Sequence, residues 1–325
     1  MPDSPERTDQ ALLDCFNPLF LSPLYDEKTP KPLLAHYTSI KVMEAILQRS
    51  QVWFSNPLFM NDLQEVRFGI NEGARLFVSP DLLKKAVKTE ERSKIIQSAF
   101  AQYYSEFNHQ DAFDTYVFCL SEHDRNNNDG ILSMWRGYGQ HGEGVALVFD
   151  TAALTLVPTS PLIIAKVTYG SDHDRSSQLS TMLEQWADLA AKADLPDDKL
   201  HIGAGAAFAA IKNYALTTKH KGFSEEAEWR VIYYPERDRS GLLKHCMDYH
   251  IGERGVEPKL KYKIGHIPGV SADDLALDRL LERIILGPSH SSPLAKRSVE
   301  RMLERIGKPE LKKKLWPSGI PLRPS

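Results

Sequence analysis

The chain has 325 residues and a formal net charge of −3, and 42% of its residues are hydrophobic and 26% are charged. This composition is ordinary for a soluble globular protein, and the small net charge gives no whole-chain electrostatic reason to expect nucleic acid or an anionic membrane as a partner. No apolar run approaches the roughly 18–20 residues that span a bilayer, and the polar N-terminus lacks the pattern of a secretory signal. We therefore expect a cytoplasmic protein with no membrane partner.

In chain order, strand-like and helix-like patterns follow one another irregularly. Strand patterns occur at residues 33–39, 51–56, 114–121, 145–150, 162–170, 226–235, 244–252 and 280–289. Helical patterns occur at residues 39–50, 80–112, 131–140, 176–220 and 293–307, and residues 57–77 start as a loop and become helical. Because the strands fall in scattered groups with helices between them, and not in regular βαβ units, the sequence predicts an α+β fold.

The same patterns predict the domain organisation. Residues 1–30 are polar and rich in proline, so we expect an arm that contributes little to the core. Residues 31–290 are expected to form a single α+β core domain with helical insertions near 70–112 and 176–220. Residues 291–325 are expected to form an amphipathic helix, packed through Val299, Met302, Leu303 and Ile306, and a proline-rich tail.

Several motifs are absent or incomplete. The three cysteines, Cys15, Cys119 and Cys246, are far apart and odd in number, which predicts neither a disulfide framework nor a cysteine zinc site. The histidines show no spacing with carboxylates that singles out a metal. The segment HIGAGAAF has Phe208 where a dinucleotide-binding loop requires a third glycine, and it lies in a helical stretch. We therefore predict no metal site and no dinucleotide-binding loop of that type.

The stretch FSEEAEWRVIY, residues 223–233, loads the start of a strand with carboxylates. Since side chains alternate along a strand, Glu226, Glu228 and Arg230 are predicted to share one face. Trp229 and Val231 are predicted to lie on the opposite, core-facing side. This pattern has two interpretations: a solvated strand end with an ion pair to Arg230, or a set of functional groups held on a rigid element.

Two earlier segments also carry polar residues on strands. In AHYTS, His36 is predicted to lie on the same face as Thr38, either as a satisfied structural histidine or as a ligand-binding group. In WFSNPLFMND, the residues Trp53, Phe54 and Ser55 precede a loop that ends in Asn61 and Asp62, of which either residue is a candidate helix cap.

Taken in order, these three segments resemble the ADP-ribosyltransferase fold. The resemblance implies a split, mainly antiparallel mixed sheet and NAD as the substrate. It places His36 on the adenosine ribose and Glu228 on the ribose 2′-OH as the catalytic carboxylate, with Glu226 assisting. A fixed carboxylate there opposes the positive charge that develops when the nicotinamide–ribose bond breaks. The residues expected to bind NAD are His36, Tyr37, Thr38, Trp53, Phe54, Ser55, Asn61 and Arg136.

A closer resemblance covers most of the chain. The ordered string HYTS, WFSNPLFMNDLQE, FCLSE, SMWRGYGQHGEGVALVFD, KVTYG, FSEEAEWRVIY and IILGPS resembles the domain-of-unknown-function 2971 family of bacterial proteins over roughly residues 33–290. That family implies no particular activity. One departure is that Asp62 is followed by Leu63, where the family pattern usually has Asp-Pro, so the shape of this loop can differ.

The segment SMWRGYGQHGEG has two interpretations. It is either a tight connection between a short helix and a strand, with Trp135 in the core, or a wall of the same cleft lined by Arg136 or Tyr138. Gly142 and Gly144 suit a turn that requires positive φ.

The first functional hypothesis is an NAD-dependent mono-ADP-ribosyltransferase, a bacterial toxin or phage-defence effector, whose acceptor is an unidentified protein or nucleic acid. The alternatives are a catalytically silent module that binds a nucleotide or a protein, and a metal-dependent nuclease with Asp62, Glu226 and Glu228 as ligands. The transferase hypothesis requires His36, one of the residues 53–55 and Glu228 to converge on one cleft. Placement of His36 and Glu228 on opposite sides of the sheet would contradict it.

Overall fold

A computed structural model of the protein describes residues 8–20, 31–60, 63–107, 112–154, 156–252 and 255–322, with all their side chains except those of Leu63 and Phe113. The helices are α1 (Asp9–Asp14), α2 (Ile40–Arg49), α3 (Leu63–Phe77), α4 (Pro80–Val87), α5 (Glu90–Glu106), α6 (Ala112–Asp114), α7 (Leu132–Gly137), α8 (Asp172–Ala193), α9 (Leu200–Thr217), α10 (Leu277–Leu280) and α11 (Pro293–Arg305). In this part of the chain no helix is long and apolar enough to cross a membrane.

The strands are β1 (Leu33–Thr38), β2 (Gln51–Ser55), β3 (Tyr116–His123), β4 (Val145–Asp150), β5 (Leu162–Lys166), β6 (Thr168–Gly170), β7 (Thr218–His220), β8 (Glu228–Tyr233), β9 (Met247–Gly252), β10 (Gly255–Lys263), β11 (Leu281–Leu286) and β12 (Leu315–Pro317). Their pairing is antiparallel apart from β11 with β12 and β6 with β7. The predicted α+β class with a mainly antiparallel sheet is confirmed.

The chain forms two compact units. The helical unit is drawn from Met1–Tyr25, Pro57–Asp114 and Thr168–Gly222, and the β unit from Asp26–Asn56, Thr115–Val167 and Phe223–Ser325. The helices of both predicted insertions belong to the helical unit.

The helical unit has an aromatic core. Phe77 and Phe100 stack with ring centroids 4.0 Å apart, and Trp186 lies 5.0 Å from Phe77. Helix α9 packs against α3 and α5. It does so closely because it carries small residues, and a Cβ at Gly205 would lie 3.1 Å from the ring of Tyr103.

The N-terminal segment takes part in this core. Helix α1 is capped by Thr8, whose side chain accepts a hydrogen bond from the Ala11 amide. Leu12 is buried and Phe16 is fully buried. The prediction that residues 1–30 contribute little to the core is therefore wrong for their described part. The prediction considered the average polarity of the segment and not the spacing of its apolar residues. Leu12 and Phe16 are four residues apart, so they lie on one side of α1 and of the turn that follows it.

Ten strands of the described chain form the sheet of the β unit. The order is β12-β11-β4-β1-β3-β2-β10-β9, and β8 pairs with β3 and β5. Strand β3 has three neighbours: β8 lies along one edge, while the other edge pairs with β1 near Ser121 and with β2 at Val117. The sheet therefore forks at β3, and β1 and β2 diverge from each other along it.

Each strand of this fork presents side chains to two faces. Ala35 of β1 lies opposite Ser121 of β3, which lies opposite Glu228 of β8, so these three residues share one face, named here the Glu228 face. The alternate residues, including His36 and Phe118, lie on the other face, named here the His36 face.

Both faces near β1 are packed. On the Glu228 face a cluster is formed by Leu33, Ala35, Tyr37, Met134, Trp135, Ala146, Val148 and Ile285. On the His36 face, apolar side chains that include Leu34, Phe54 and Val231 line a cavity of about 60 Å³. Helix α11 begins after its N-cap Ser292. Of the four residues predicted to pack, Val299 and Leu303 are buried, and Met302 and Ile306 are partly buried.

Candidate functional site

The two residues that the transferase hypothesis brings together lie on opposite faces of the sheet. Glu228 is paired with Ser121, which is paired with Ala35, and His36 follows Ala35 on β1. One step along a strand reverses the face. The predicted convergence of His36 and Glu228 on one cleft is therefore wrong.

His36 is held where the fork opens. The pairing of β1 with β3 ends at Ala35 and Ser121, and the Nδ1 atom of His36 lies 3.1 Å from the carbonyl oxygen of Cys119. The imidazole ring also contacts Phe118, with centroids 4.6 Å apart. Since a carbonyl only accepts, Nδ1 carries the proton in this contact. Burial lowers the pKa of His36, against the opposing effect of its backbone hydrogen bond, so the neutral ring is favoured. His36 is partly buried, and these contacts describe a structural histidine whose Nδ1 is satisfied by the backbone.

This environment predicts a pH-dependent stability. The lowered pKa means that the unfolded chain binds more protons than the folded one below about pH 6.5. The stability is therefore intact above that pH and is lost as the pH falls towards the folded pKa, by at most about 1.4 kcal/mol per pH unit. His36→Gln retains a donor and removes the titration.

We expect wild type to lose about 1 kcal/mol more than His36→Gln in free energy of unfolding between pH 7.5 and 5.5. Urea denaturation at both pH values measures this difference. The pKa of His123 is also lowered by burial, so the variant should keep part of the pH dependence. Equal pH dependence in the two proteins would contradict the burial of a neutral His36.

The neighbours of His36 in the predicted NAD site are also engaged in packing. Tyr37 lies on the Glu228 face, where its hydroxyl accepts a hydrogen bond from the Ile131 amide and its ring meets Trp135 edge-on at 4.9 Å. Burial raises the pKa of Tyr37 to about 12. Thr38 is buried, and Phe54 is buried on the His36 face, where its ring lies 5.6 Å from that of Phe118.

Glu228 forms a buried ion pair with Arg230. The guanidinium Nε donates to Oε1 of Glu228 at 2.8 Å and a terminal nitrogen donates to Oε2 at 3.1 Å. The two side chains are 6% and 1% exposed. The prediction that Glu228 and Arg230 share a face is confirmed, as is the burial of Trp229 and Val231 on the opposite side. The carboxylate is therefore neutralised within the sheet.

Glu226 does not continue the strand. It ends a 3₁₀ turn, Lys221–Glu226, and Ala227 has a φ of 42°, in the left-handed region. This turn breaks the strand alternation that was predicted to place Glu226 beside Glu228 and Arg230. The Glu226 carboxylate accepts a hydrogen bond of 2.7 Å from the Tyr138 hydroxyl, and its carbonyl accepts one of 2.6 Å from Ser121. Since Tyr138 is half exposed, this carboxylate lies near the protein surface.

Trp53 and Ser55 lie on the Glu228 face with two lysines of β10. Lys261 is paired with Trp53 across the strands, and its Nζ lies 4.7 Å from the indole centroid. Lys259 is paired with Ser55, and its Nζ donates to the Ser55 hydroxyl at 2.9 Å. We name Trp53, Ser55, Lys259 and Lys261 the Trp53 strip.

Acidic residues and a histidine flank the Trp53 strip. Glu257 accepts from Lys259 at 3.0 Å and Asp248 accepts from Lys261 at 2.8 Å. The hydrogen bond from Lys261 lowers the pKa of Asp248. The ring of His250 lies 5.4 Å from that of Trp53. The lysine side chains are thereby fixed in position beside an aromatic ring.

The sequence-based predictions missed the lysines of this strip. The sequence pattern that could have identified them is the alternation in PKLKYK, which places Lys259, Lys261 and Lys263 on one face of a strand. Of the other predicted residues, Arg136 is exposed on α7, and Asn61 lies outside the described residues.

The described side chains include no group of three or more His, Cys, Asp or Glu residues placed to hold a metal ion. The nuclease hypothesis requires such a group from Glu226, Glu228 and Asp62, and Asp62 lies outside the described residues. That hypothesis stays a prediction.

Comparison with known proteins supports the family resemblance over part of the chain. Residues 134–231 match the model of a family described as protein of unknown function (DUF2971). This range runs from α7 to β8 and so includes Arg136, Tyr138, Glu226 and Glu228. No curated protein and no solved structure matches the chain. The matched range therefore includes both candidate carboxylates. The description of the family names no activity.

Proposed function

We propose that the protein is a nucleotide-binding module whose site is the Trp53 strip. The observation that carries the proposal is the pair of adjacent cross-strand contacts, Lys261 against Trp53 and Lys259 against Ser55. An indole offers a surface on which a base or a nicotinamide ring can stack. The ammonium groups of Lys259 and Lys261 lie beside it, and a phosphate would bind them in exchange for their carboxylate partners Glu257 and Asp248.

This proposal does not use the His36–Glu228 chemistry. His36 lies on the opposite face and is bonded to the Cys119 carbonyl, and the carboxylate of Glu228 is paired with Arg230. A carboxylate in this state has no uncompensated charge to oppose an oxocarbenium-like centre. The binding module that the sequence left open as an alternative therefore fits the geometry better than the His36–Glu228 transferase.

The test is calorimetric titration with NAD and with ATP. Stacking on one aromatic side chain contributes about 1–3 kcal/mol, which corresponds to roughly a 5–150-fold change in affinity. We expect Trp53→Leu to weaken binding by about tenfold or more, and Lys259→Met to weaken it and reduce its dependence on salt.

The matched control is Trp316→Leu, because Trp316 belongs to the same unit and is 45% exposed on β12. This variant should bind as wild type does. Absence of binding at millimolar nucleotide, or equal affinities for Trp53→Leu and Trp316→Leu, would refute the proposal.

A second candidate is cleavage of the nicotinamide–ribose bond of NAD, with transfer to an acceptor protein or nucleic acid or to water. The Tyr138–Glu226 hydrogen bond favours it, because it holds a carboxylate near the surface at the start of β8. In this version Glu226, and not Glu228, opposes the developing positive charge. A bacterial toxin or phage-defence effector would use such a reaction.

Release of free nicotinamide from NAD tests this candidate separately from binding. Loss of a preorganised charge typically lowers the rate on the order of 10²–10³-fold, so Glu226→Gln should reduce turnover by about that factor. Tyr138→Phe should have a smaller effect because it only orients the carboxylate. Undiminished turnover in Glu226→Gln, or no turnover by wild type with proteins or nucleic acid added as acceptors, would reject cleavage and leave the binding proposal intact.

A further inference from the structure

Strand β9 is an edge of the sheet that carries exposed apolar side chains. It pairs with β10 on one side and ends the strand order among the described residues. Tyr249 is 57% exposed, Ile251 is 68% exposed, and Val256, which lies opposite Ile251 on β10, is 64% exposed. An exposed edge strand with apolar side chains pairs readily with another strand.

The backbone of β9 directs hydrogen-bonding groups outwards. Tyr249 lies opposite Pro258, which has no amide hydrogen to donate. The amide of Tyr249 donates instead to its neighbour Asp248, at 2.8 Å. Because antiparallel residues alternate between bonded and non-bonded positions, the backbone groups of Met247, Tyr249 and Ile251 point away from β10.

The sequence of β9 is complementary to itself in one antiparallel register. A register centred on Tyr249 brings Tyr249 opposite the same residue of a second chain. It also brings Met247 opposite Ile251, both apolar, and Asp248 opposite His250, a carboxylate facing an imidazole. Aromatic and apolar pairs are favourable between adjacent strands, and a carboxylate accepts a hydrogen bond from an imidazole N–H. In this register the outward groups of Tyr249 and Ile251 occupy the hydrogen-bonded positions.

We propose that the protein forms a two-fold symmetric dimer in which the β9 strands of two copies pair through this register. The amide of Tyr249 then donates to the Tyr249 carbonyl of the second copy in place of Oδ1 of Asp248. That oxygen becomes available to His250 of the second copy, while Oδ2 of Asp248 stays with Lys261. The same surface meets itself, as a two-fold interface requires. A single pair of six-residue strands buries less area than a standard interface, so the dimer is expected to be reversible, with a dissociation constant in the micromolar range.

Sedimentation velocity from about 5 to 200 μM tests the association, a range chosen to bracket the micromolar affinity of a small interface. We expect wild type to shift from monomer to dimer across this range. Ile251→Lys should raise the dissociation constant at least tenfold, because the ammonium would face Met247 of the second copy. The matched control is Leu294→Lys on α11, a residue that is 78% exposed and distant in sequence from β9. It should associate as wild type does.

Cysteine cross-linking tests the register. Tyr249→Cys places the thiol on the two-fold axis, where paired Cα atoms are about 5.5 Å apart and a disulfide can form. Ile251→Cys places its two copies four residues apart along the strands, about 13 Å, which is beyond disulfide reach. Under mild oxidation we expect a covalent dimer from Tyr249→Cys and none from Ile251→Cys or from wild type with its native cysteines. A monomer at all concentrations, an association unaffected by Ile251→Lys, or cross-linking of Ile251→Cys in place of Tyr249→Cys would overturn the proposal.

Discussion

Replacement of Arg230 by methionine should lower the free energy of unfolding by about 3–5 kcal/mol, since a buried carboxylate loses the opposite charge of its ion pair. Glu228 would keep its carboxylate in a position that is 6% exposed, without the two hydrogen bonds that it receives from the guanidinium. Urea denaturation measures the loss in free energy of unfolding. Hydrogen exchange of peptides from β8 and β3 shows whether the loss originates in these strands.

A double-mutant cycle separates the ion pair from packing. Glu228→Gln with Arg230→Met removes both charges, so we expect the double variant to be more stable than Arg230→Met alone. The control is Arg279→Met. Arg279 pairs with Asp274 at 2.8 Å, but the two side chains are 61% and 55% exposed, and such a pair contributes at most about 1 kcal/mol. Equal losses in Arg230→Met and Arg279→Met would show that Glu228 is not fixed by this pair.

The outcome also bears on function. If the Glu-x-Glu segment is catalytic through Glu228, that carboxylate must be accessible to a substrate. A large coupling energy between Glu228 and Arg230 would instead show that the carboxylate is held by its ion pair within the sheet. Glu226 would then be the carboxylate of this segment that is open to chemistry, which is the assignment that the nicotinamide-release experiment examines.

Sequence patterns correctly predicted the positions of these strands and which side chains of a single strand share a face. The strands around His36, Trp53 and Glu228 occur where the alternation predicted them, and Glu228 and Arg230 share a face. These are local properties, because neighbouring side chains along a strand point to opposite sides whatever the strand pairs with.

Relations between strands were outside the reach of these patterns. Whether His36 and Glu228 share a face depends on the registers of β1 with β3 and of β3 with β8, and a shift of one residue in either register would reverse the answer. The position of Glu226 was misjudged for a different reason. The left-handed conformation of Ala227 is one that a non-glycine residue rarely adopts, so a continuous strand was the natural expectation.

Packing around Trp135 explains much of the residue composition of the motif SMWRGYG. The indole is fully buried in the cluster on the Glu228 face, and its Nε1 donates to the Asp129 carbonyl at 2.8 Å. Two glycines lie against it: a Cβ at Gly139 would be 2.5 Å from the ring and one at Gly130 would be 2.8 Å from it. The ring therefore requires Gly139 of this motif and Gly130 ahead of it, whereas a Cβ at Gly137 would meet nothing within 4 Å.

Trp135→Ala should consequently lower the free energy of unfolding by about 3–5 kcal/mol, through lost burial and the cavity that remains. Trp135→Phe should cost less because it refills part of the space, while Trp316→Ala, at a half-exposed position, should be nearly neutral. Urea denaturation measures all three. Since α7 also carries Arg136 and leads to Tyr138, hydrogen exchange in residues 131–140 should rise in Trp135→Ala before that of the sheet. If Trp135→Ala were as stable as Trp316→Ala, the motif would owe its composition to a ligand-binding role, with Arg136 and Tyr138 as the first residues to test. A large loss restricts that role to the two exposed side chains and assigns the remainder of the motif to the core.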